Sequence, residues 1–142
     1  MRIYTSSWFT DLPATIQKIG ISRGYPRGYP AGYRRMMELA PGPWFNSVSP
    51  AEYHRLYMEQ LGKLDPKAIL AKITGMLGDH HRDAALLCFE SPTDPAAWCH
   101  RGQVSGWLAD MLDLQVPEYF APGIKPQRCG WQHPKLLPEF QK

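Results

Sequence analysis

Apolar and polar positions along the chain divide it into segments with strand-like and helix-like periods. The segment RIYTSSWF (2–9) is rich in β-branched and aromatic residues, which predicts an opening strand. A second short strand is predicted at 19–22. The run AALLCF (84–89) is continuously apolar, as is typical of a strand buried on both faces of a parallel sheet. We therefore expect a parallel sheet with 84–89 as a central strand.

Three other segments have the helical period and recognisable helix ends. The tetrapeptide SPAE (49–52) is a capping box with proline at the first helical position, so it begins a helix. The pair DP (65–66) begins a second helix, which we expect to end at Gly78. A third helix is predicted from about Cys99 to Leu112. Its apolar positions recur at helical spacing: Val104, Trp107, Leu108 and Met111.

These elements predict an α/β fold in which a small, mostly parallel sheet is flanked by about three helices. A chain of 142 residues is the size of one domain, so we expect a single compact domain over 1–142. Its core would be 1–113. The Pro-rich segment 114–142 is predicted to wrap the core as an irregular tail, and a long Gly/Pro/Tyr-rich loop is predicted up to Pro43.

Net positive charge is concentrated in the first third of the chain, although the net charge of the whole chain is only +3. The stretch RGYPRGYPAGYRR (23–35) repeats Gly-Tyr three times and holds four arginines and no acid. Interleaved Arg and Tyr on a Gly/Pro backbone can bind phosphates and stack on bases. The stretch therefore indicates an anionic partner, a nucleotide or nucleic acid, and the alternative is a flexible solvated loop.

Several classes of protein are disfavoured by composition. No apolar run approaches the roughly 20 residues of a membrane helix. The first residues lack the zones of a signal peptide, so we expect a cytoplasmic protein without a membrane partner. The three cysteines form no even framework and have no zinc-site spacing, so neither a disulfide scaffold nor a metal or other cofactor is predicted.

Candidate chemistry lies where the central strand ends and the third helix begins, a place where open α/β sheets bind ligands. Glu90 follows the strand, and Cys99, His100 and Arg101 begin the helix. A helix amino end favours anions and lowers the pKa of a nearby thiol. We therefore predict Cys99 as nucleophile, His100 as its acid/base partner and Glu90 as an orienting or catalytic acid, with Arg101 clamping an anion.

Further ligand-binding positions are predicted around the same sheet edge. Hydroxyl groups cluster at the end of the first strand, and the basic loop follows the second. The residues expected to bind ligand are Thr5, Ser6, Ser7, Arg23, Gly24, Tyr25, Arg27 and Arg101.

Structural interpretations of the same residues remain open. Glu90 and Arg101 can form an ion pair that only fastens loop to helix. Cys88 lies in the apolar run and is predicted to be a small buried filler. A redox pair of Cys88 with Cys99 is the disfavoured alternative, because the two residues lie at opposite ends of a loop. The Asp79-His80-His81 segment is expected to be a solvated turn, and Tyr53 with Tyr57 to lie at the core edge.

Four segments together resemble a bacterial family of proteins, domain-of-unknown-function family 488. They are RIYTSSWF at the start, GISRGYPRG (20–28), LDPKAIL (64–70), and LLCFE (86–90) followed by WCHR (98–101), and they span about residues 1–113. The resemblance implies a compact α/β domain and brings no established reaction with it. The positions that match best are Thr5, Ser6, Arg23, Gly24, Glu90, Cys99, His100 and Arg101.

The function predicted from these features is binding or processing of a phosphate-bearing ligand, with Cys99 as a possible nucleophile in a hydrolase or transferase. Two alternatives remain. One is a non-catalytic nucleic-acid-binding module that uses the Arg/Tyr loop, and the other is a protein-interaction adaptor that uses exposed tyrosines.

Overall fold

The computed structural model describes residues 1–90 and 99–124. Within these residues it has four strands, three α-helices and one short 3-10 helix. The elements in chain order are β1 (Ile3–Ser7), β2 (Ile16–Gly20), β3 (Arg34–Arg35), the 3-10 helix (Met37–Leu39), α1 (Pro50–Gly62), α2 (Pro66–Gly75), β4 (Asp83–Cys88) and α3 (His100–Leu112). The predicted α/β class with a small parallel sheet and three helices is confirmed.

All four strands are parallel and lie in the order β1-β4-β2-β3. Leu86 of β4 is in register with Thr5 of β1 on one side and with Ile19 of β2 on the other. The predicted central strand is therefore confirmed. Because the strands are parallel, their carboxyl ends meet at one edge of the sheet, and the segments that follow β1, β2 and β4 start there.

Alternate residues of β4 pack into two separate apolar clusters, one on each face of the sheet. Ala84, Leu86 and Cys88 belong to the larger cluster with α1, α2 and α3. Ala85 and Leu87 pack on the other face. Three buried side chains cover that second face, and four partly buried tyrosines pack around them. The buried residues are Trp8, Leu12 and Ile16, and the tyrosines are Tyr4, Tyr29, Tyr33 and Tyr119. Burial on both faces explains why β4 reads as a continuous apolar run.

The connection from β1 to β2 contains no helix. Residues 8–15 return from the carboxyl end of one strand to the amino end of the next, and eight extended residues reach about 27 Å. A five-residue strand is only about 17 Å long, so the short segment suffices. Trp8, 1% exposed, packs from this segment on the sheet and donates from Nε1 to Ser22 Oγ at 2.9 Å.

Both predicted helix starts are confirmed by their caps. The Ser49 hydroxyl accepts from the backbone N–H of Glu52, and the Asp65 carboxylate accepts from that of Lys67. The end predicted for the second helix at Gly78 is wrong. The helix ends at Gly75, and Met76 caps it by donating to two carbonyls of the last turn. Gly78 instead follows in the turn, where its N–H donates to His81 Nδ1 at 2.8 Å.

The Gly/Pro/Tyr segment is more regular than the sequence indicated. It includes β3 and the 3-10 helix, and β2 begins three residues earlier than predicted. Tyr29 and Tyr33 pack edge-on against Trp8, with ring centroids 4.9 and 5.4 Å from it. No sequence period indicates these contacts, because β2 lies between Trp8 and both tyrosines along the chain.

The described part of the tail runs along the outer edge of β1. Thr5 donates its N–H to Pro117 O at 3.0 Å, and Tyr119 donates to Thr5 O at 2.8 Å. Residues 125–142, including Cys129, lie outside the described residues. In the part of the chain that the structure describes, no helix has the length and apolar character needed to cross a membrane.

Candidate active site

A cleft of about 540 Å³ opens at the carboxyl edge of the sheet. It lies beside the ends of β2 and β4 and the start of α3, which is where the sequence placed the chemistry. The residues that line it are Ser22, Arg23, Gly24, Pro41, Phe45, Tyr53, Phe89, Glu90, Cys99 and His100. Five of the predicted site residues are therefore brought together: Arg23, Gly24, Glu90, Cys99 and His100.

The His100 imidazole, 5% exposed, is held by contacts at both of its nitrogens. Nε2 lies 2.7 Å from the carbonyl oxygen of Ile21, so it carries a proton and donates to that oxygen. Nδ1 lies 3.6 Å from Cys99 Sγ. The edge of Tyr57 packs on the ring at a centroid distance of 5.1 Å. The backbone of β2 thus fixes the tautomer in which Nδ1 faces the thiol.

The contact between Cys99 and His100 favours a charged pair. Burial acts to raise the pKa of the Cys99 thiol, but the hydrogen bond with Cys88 and the charge of His100 outweigh it and hold the pKa well below its usual value. Burial acts to lower the pKa of His100, but the charge and hydrogen bond of Cys99, the Ile21 carbonyl and the charge of Glu90 together raise that pKa. Both shifts favour a thiolate beside an imidazolium.

Cys88 lies next to this pair, which corrects the expectation that it is remote from Cys99. The two sulfur atoms and a ring nitrogen of His100 lie within 4.8 Å of one another. β4 ends and α3 begins at the same edge of the sheet, so Cys88 and Cys99 lie side by side there. Burial raises the pKa of the Cys88 thiol well above its usual value, so Cys88 remains protonated.

Cys88, Cys99 and His100 are also the one group of three potential metal ligands among the described residues. Thiolate and imidazole are ligands that Zn²⁺ accepts. The Cys88 sulfur, however, lies at nearly equal distances from the two ring nitrogens, 3.7 Å from Nδ1 and 3.5 Å from Nε2. It therefore contacts the face of the ring and is in line with neither nitrogen lone pair, so the group is arranged as packed thiols and imidazole.

Glu90 places a carboxyl group with an unusual pKa at the cleft. The residue is exposed overall, but its carboxyl lies beside Cys99. Partial burial of the carboxyl, followed by the charge and hydrogen bond of Cys99, raises its pKa to about 7. At neutral pH a large fraction of Glu90 is protonated and can donate a proton to a ligand in the cleft.

Arg101 faces away from the cleft into a closed ion pair. Its Nε donates to Glu118 Oε1 at 3.1 Å and its Nη2 donates to Glu118 Oε2 at 3.1 Å. This bidentate arrangement has both side chains fully buried. The expected pairing of Arg101 with Glu90 is therefore wrong. Glu118 was missed because it lies in the irregular tail; the available signal was an acid among the apolar residues Val116 and Phe120.

The three hydroxyl residues of β1 belong to this closed region and do not line the cleft. Thr5 Oγ1 donates to Glu118 Oε1 at 2.7 Å, and Ser6 Oγ donates to Tyr119 O at 3.2 Å. Ser7 Oγ lies 3.5 Å from Phe89 O. All three are buried. Their hydroxyl groups hold the tail and the end of β4 in place.

The basic loop divides between the cleft and the outer surface. Arg23 lines the cleft, donating from Nη1 to Pro41 O at 3.0 Å and lying over the Phe45 ring. Tyr25 and Arg27 are exposed outside it. The uncharged residues of the cleft lining could not be predicted from the sequence, because they come from separate segments without a shared motif. They are Ser22, Pro41, Phe45, Tyr53 and Phe89.

No protein-family model, curated protein or solved structure matches the chain. The resemblance to family 488 therefore stays a prediction. By its geometry, the protein is a small parallel α/β domain with a cleft at the carboxyl edge of its sheet that is lined by a cysteine and a histidine.

Proposed function

We propose that the cleft is the active site of a cysteine-dependent hydrolase or transferase that acts on a phosphate-bearing ligand. The observation that carries the proposal is the 3.6 Å contact between Cys99 Sγ and Nδ1 of an imidazole whose other nitrogen is tied to Ile21 O, at the wall of the cleft. This is the arrangement in which a thiolate nucleophile has a positioned proton donor.

In the proposed reaction the Cys99 thiolate attacks the electrophilic centre of the substrate and forms a covalent bond to it. The leaving group takes the proton from His100 Nδ1 or from the Glu90 carboxyl, the two acidic groups beside the sulfur. The acceptor that then displaces Cys99 decides between the two reactions: water gives hydrolysis and another nucleophile gives transfer. His100 Nε2 keeps its proton because Ile21 O accepts it.

Arg23 supports an anionic substrate. Its guanidinium group has five N–H donors, and among the described residues it donates to Pro41 O alone. The group is exposed at the mouth of the cleft beside Gly24, which has no side chain to block the approach of a phosphate. A nucleotide is the ligand class we propose, together with a cytoplasmic location and kinship with family 488.

Protection of Cys99 from alkylation tests the ligand class. In a Cys129→Ser background, the rate of Cys99 modification by iodoacetamide is measured by mass spectrometry with and without nucleotides and short oligonucleotides. We expect one of these compounds to slow the modification and Arg23→Ala to abolish that protection. Arg27→Ala, which removes an exposed arginine outside the cleft, is the matched control and should leave protection intact. Absence of protection by every compound would contradict the proposed ligand class.

A second candidate is a non-catalytic nucleic-acid-binding module on the outer surface of the basic loop. The observation that favours it is that Tyr25 is 47% exposed with Arg27 and Arg34 exposed in the same loop. Tyr25 is also the one exposed tyrosine of the seven in the chain, which leaves little for an adaptor based on tyrosines.

Salt dependence and two matched variants separate these candidates. For the surface module, affinity for single-stranded oligonucleotides should fall steeply with salt, and the Arg27→Ala/Arg34→Ala pair should weaken binding. For the cleft, that pair should have no effect on the protection of Cys99, whereas Arg23→Ala should remove it.

A further inference from the structure

A second thiol lies against the proposed nucleophile. The sulfurs of Cys88 and Cys99 belong to a cluster whose ligand atoms all lie within 4.8 Å of one another. A disulfide bond needs a sulfur separation of about 2.05 Å, so the two side chains must approach by less than about 3 Å in total. Both residues are in the reduced state and buried, and of the two only Cys99 lines the cleft.

We propose that Cys88 is a resolving cysteine for Cys99, and that hydroperoxides convert the pair reversibly into an intramolecular disulfide. The inference rests on the nucleophilic Cys99 of the proposed function but not on the identity of its substrate. Cys88 is not needed for attack on a substrate, because it is 0% exposed at the end of β4. A fully buried thiol beside a reactive one is positioned for resolution rather than for primary attack.

The chemistry balances in two steps with a hydroperoxide as oxidant. The Cys99 thiolate attacks the distal oxygen of the peroxide, so that an S–O bond forms as the O–O bond breaks and Cys99 becomes a sulfenic acid. The remaining oxygen of the peroxide takes one proton and leaves as water or an alcohol. The Cys88 sulfur then attacks the Cys99 sulfur, the S–S bond forms, and the hydroxyl group leaves with the thiol proton as water. A dithiol reverses the process by exchange, becoming oxidised itself as the two cysteines are reduced.

The position of His100 explains how the buried thiol of Cys88 is activated only after the first step. While Cys99 is a thiolate, its charge raises the pKa of His100 and holds the ring as imidazolium. The sulfenic acid is neutral, so this effect ends and Nδ1 can lose its proton. Nδ1 lies 3.7 Å from Cys88 Sγ, and it can take the proton of that thiol once the sulfur turns from the ring face toward Cys99, as disulfide formation requires.

The disulfide would switch the cleft off and protect it. Once Cys99 is bonded to Cys88, its sulfur no longer attacks a ligand, and further oxidation to the irreversible sulfinic acid is prevented. The expected consequence is loss of Cys99 alkylation after peroxide treatment and its return after treatment with dithiothreitol.

The test treats the full chain carrying Cys129→Ser with hydrogen peroxide, so that two thiols remain, and maps the products by mass spectrometry. We expect a peptide pair linked through Cys88 and Cys99, with an intact mass lower by two hydrogens. Cys88→Ala should instead trap the Cys99 sulfenic acid, which dimedone labels, and progress to the sulfinic acid. Cys88→Ser, which keeps the size of the side chain, is the second variant if Cys88→Ala unfolds.

The outcomes separate this inference from the proposed function. If Cys99 is alkylated rapidly but the Cys129→Ser protein gives the same sulfenic and sulfinic products as its Cys88 variants, the resolving role is overturned and the nucleophile stands. If Cys99 reacts with neither iodoacetamide nor peroxide, both are overturned, and the iodoacetamide result identifies the nucleophile as the failure. A linked peptide that dithiothreitol releases supports the inference.

Discussion

His100 and Arg101 are consecutive residues, yet they belong to two regions of opposite character. His100 contacts two thiols at an open cleft, whereas Arg101 is fully buried in a bidentate pair with Glu118. Consecutive helix residues point about 100° apart, so a tripeptide at a helix start can serve two sites. The Cys-His-Arg segment is therefore divided between the cleft and the closed region at the bond between residues 100 and 101.

The two regions also hold charge differently. In the closed region the charges of Arg101 and Glu118 are held in one bidentate pair. Burial acts to lower the pKa of Arg101, but Glu118 and the two nearby thiols together raise it, whereas burial raises the pKa of Glu118. In the cleft the charges of Cys99, His100 and Glu90 depend on one another, because each group shifts the pKa of at least one of the others. An ion pair that only stabilises the fold needs two charges that hold each other in place. Acid/base chemistry instead needs groups that gain and lose protons.

The largest expected effect comes from opening the closed pair. Arg101→Met leaves the Glu118 carboxylate buried with the Thr5 hydroxyl as its remaining side-chain partner, so we expect a loss of about 3–5 kcal/mol in the free energy of unfolding. Denaturant titration measures it. The double variant Arg101→Met/Glu118→Leu should recover most of the loss, because no unpaired charge remains. A single variant as stable as wild type would break the comparison.

A smaller loss is expected from Gly20→Ala, which disturbs the backbone leading into the cleft at Ile21. A Cβ atom at Gly20 would lie 2.2 Å from Trp8 Cζ2, and Trp8 is held by two tyrosine rings. We expect a destabilisation of about 1–3 kcal/mol. Gly62→Ala is the matched control, since nothing lies within 4 Å of its Cβ position; it should be neutral or slightly stabilising. Equal effects at both glycines would contradict this packing.

Glu90→Gln should change how the free energy of unfolding depends on pH, and should not change the value of that free energy at low pH. The pKa of Glu90 is about 7 in the folded protein and 4.5 ordinarily, so the folded state binds the extra proton between these values. The free energy of unfolding therefore falls as pH rises through that window, and the stability is fully present below it. Replacing Glu90 by Gln should remove this part of the fall. Parallel pH profiles for wild type and variant would contradict the shifted pKa.

The smallest effect is expected at a surface ion pair. Arg55 bonds to Glu52 and Glu59 on the exposed side of α1. Solvent screens such pairs, so in a denaturant titration Arg55→Ala should lower the free energy of unfolding far less than Arg101→Met does. Its salt dependence sharpens the contrast: raising the ionic strength should reduce the difference between wild type and Arg55→Ala and leave that of Arg101→Met almost unchanged. The opposite pattern would mean that burial does not separate these two pairs.

What could be predicted from sequence was local. The central position of β4 follows from its apolar run, and both confirmed helix starts follow from caps a few residues long. The gathering of Glu90, Cys99 and His100 at the cleft follows from one strand, one loop and one helix in succession. Such features need only periods and neighbours along the chain.

What could not be predicted depends on pairs far apart in sequence. Arg101 meets Glu118 because the tail turns back along β1, and Thr5 points to the same carboxylate across 113 residues of chain. The contact of Cys88 with Cys99 depends on where α3 begins in space relative to the end of β4. No period in the sequence encodes these closures, so hydroxyl and guanidinium groups expected in the cleft are found in the closed region.

The pH dependence of Cys99 alkylation tests the central claim most directly. The rate with iodoacetamide is followed for the Cys129→Ser protein and for its His100→Gln variant, with Cys99 identified by mass spectrometry. We predict that Cys99 reacts as a thiolate well below the ordinary thiol pKa of about 8.5, and that His100→Gln moves the profile toward that value. An ordinary profile that is the same in both proteins would contradict the thiolate–imidazolium pair and, with it, the proposed active site.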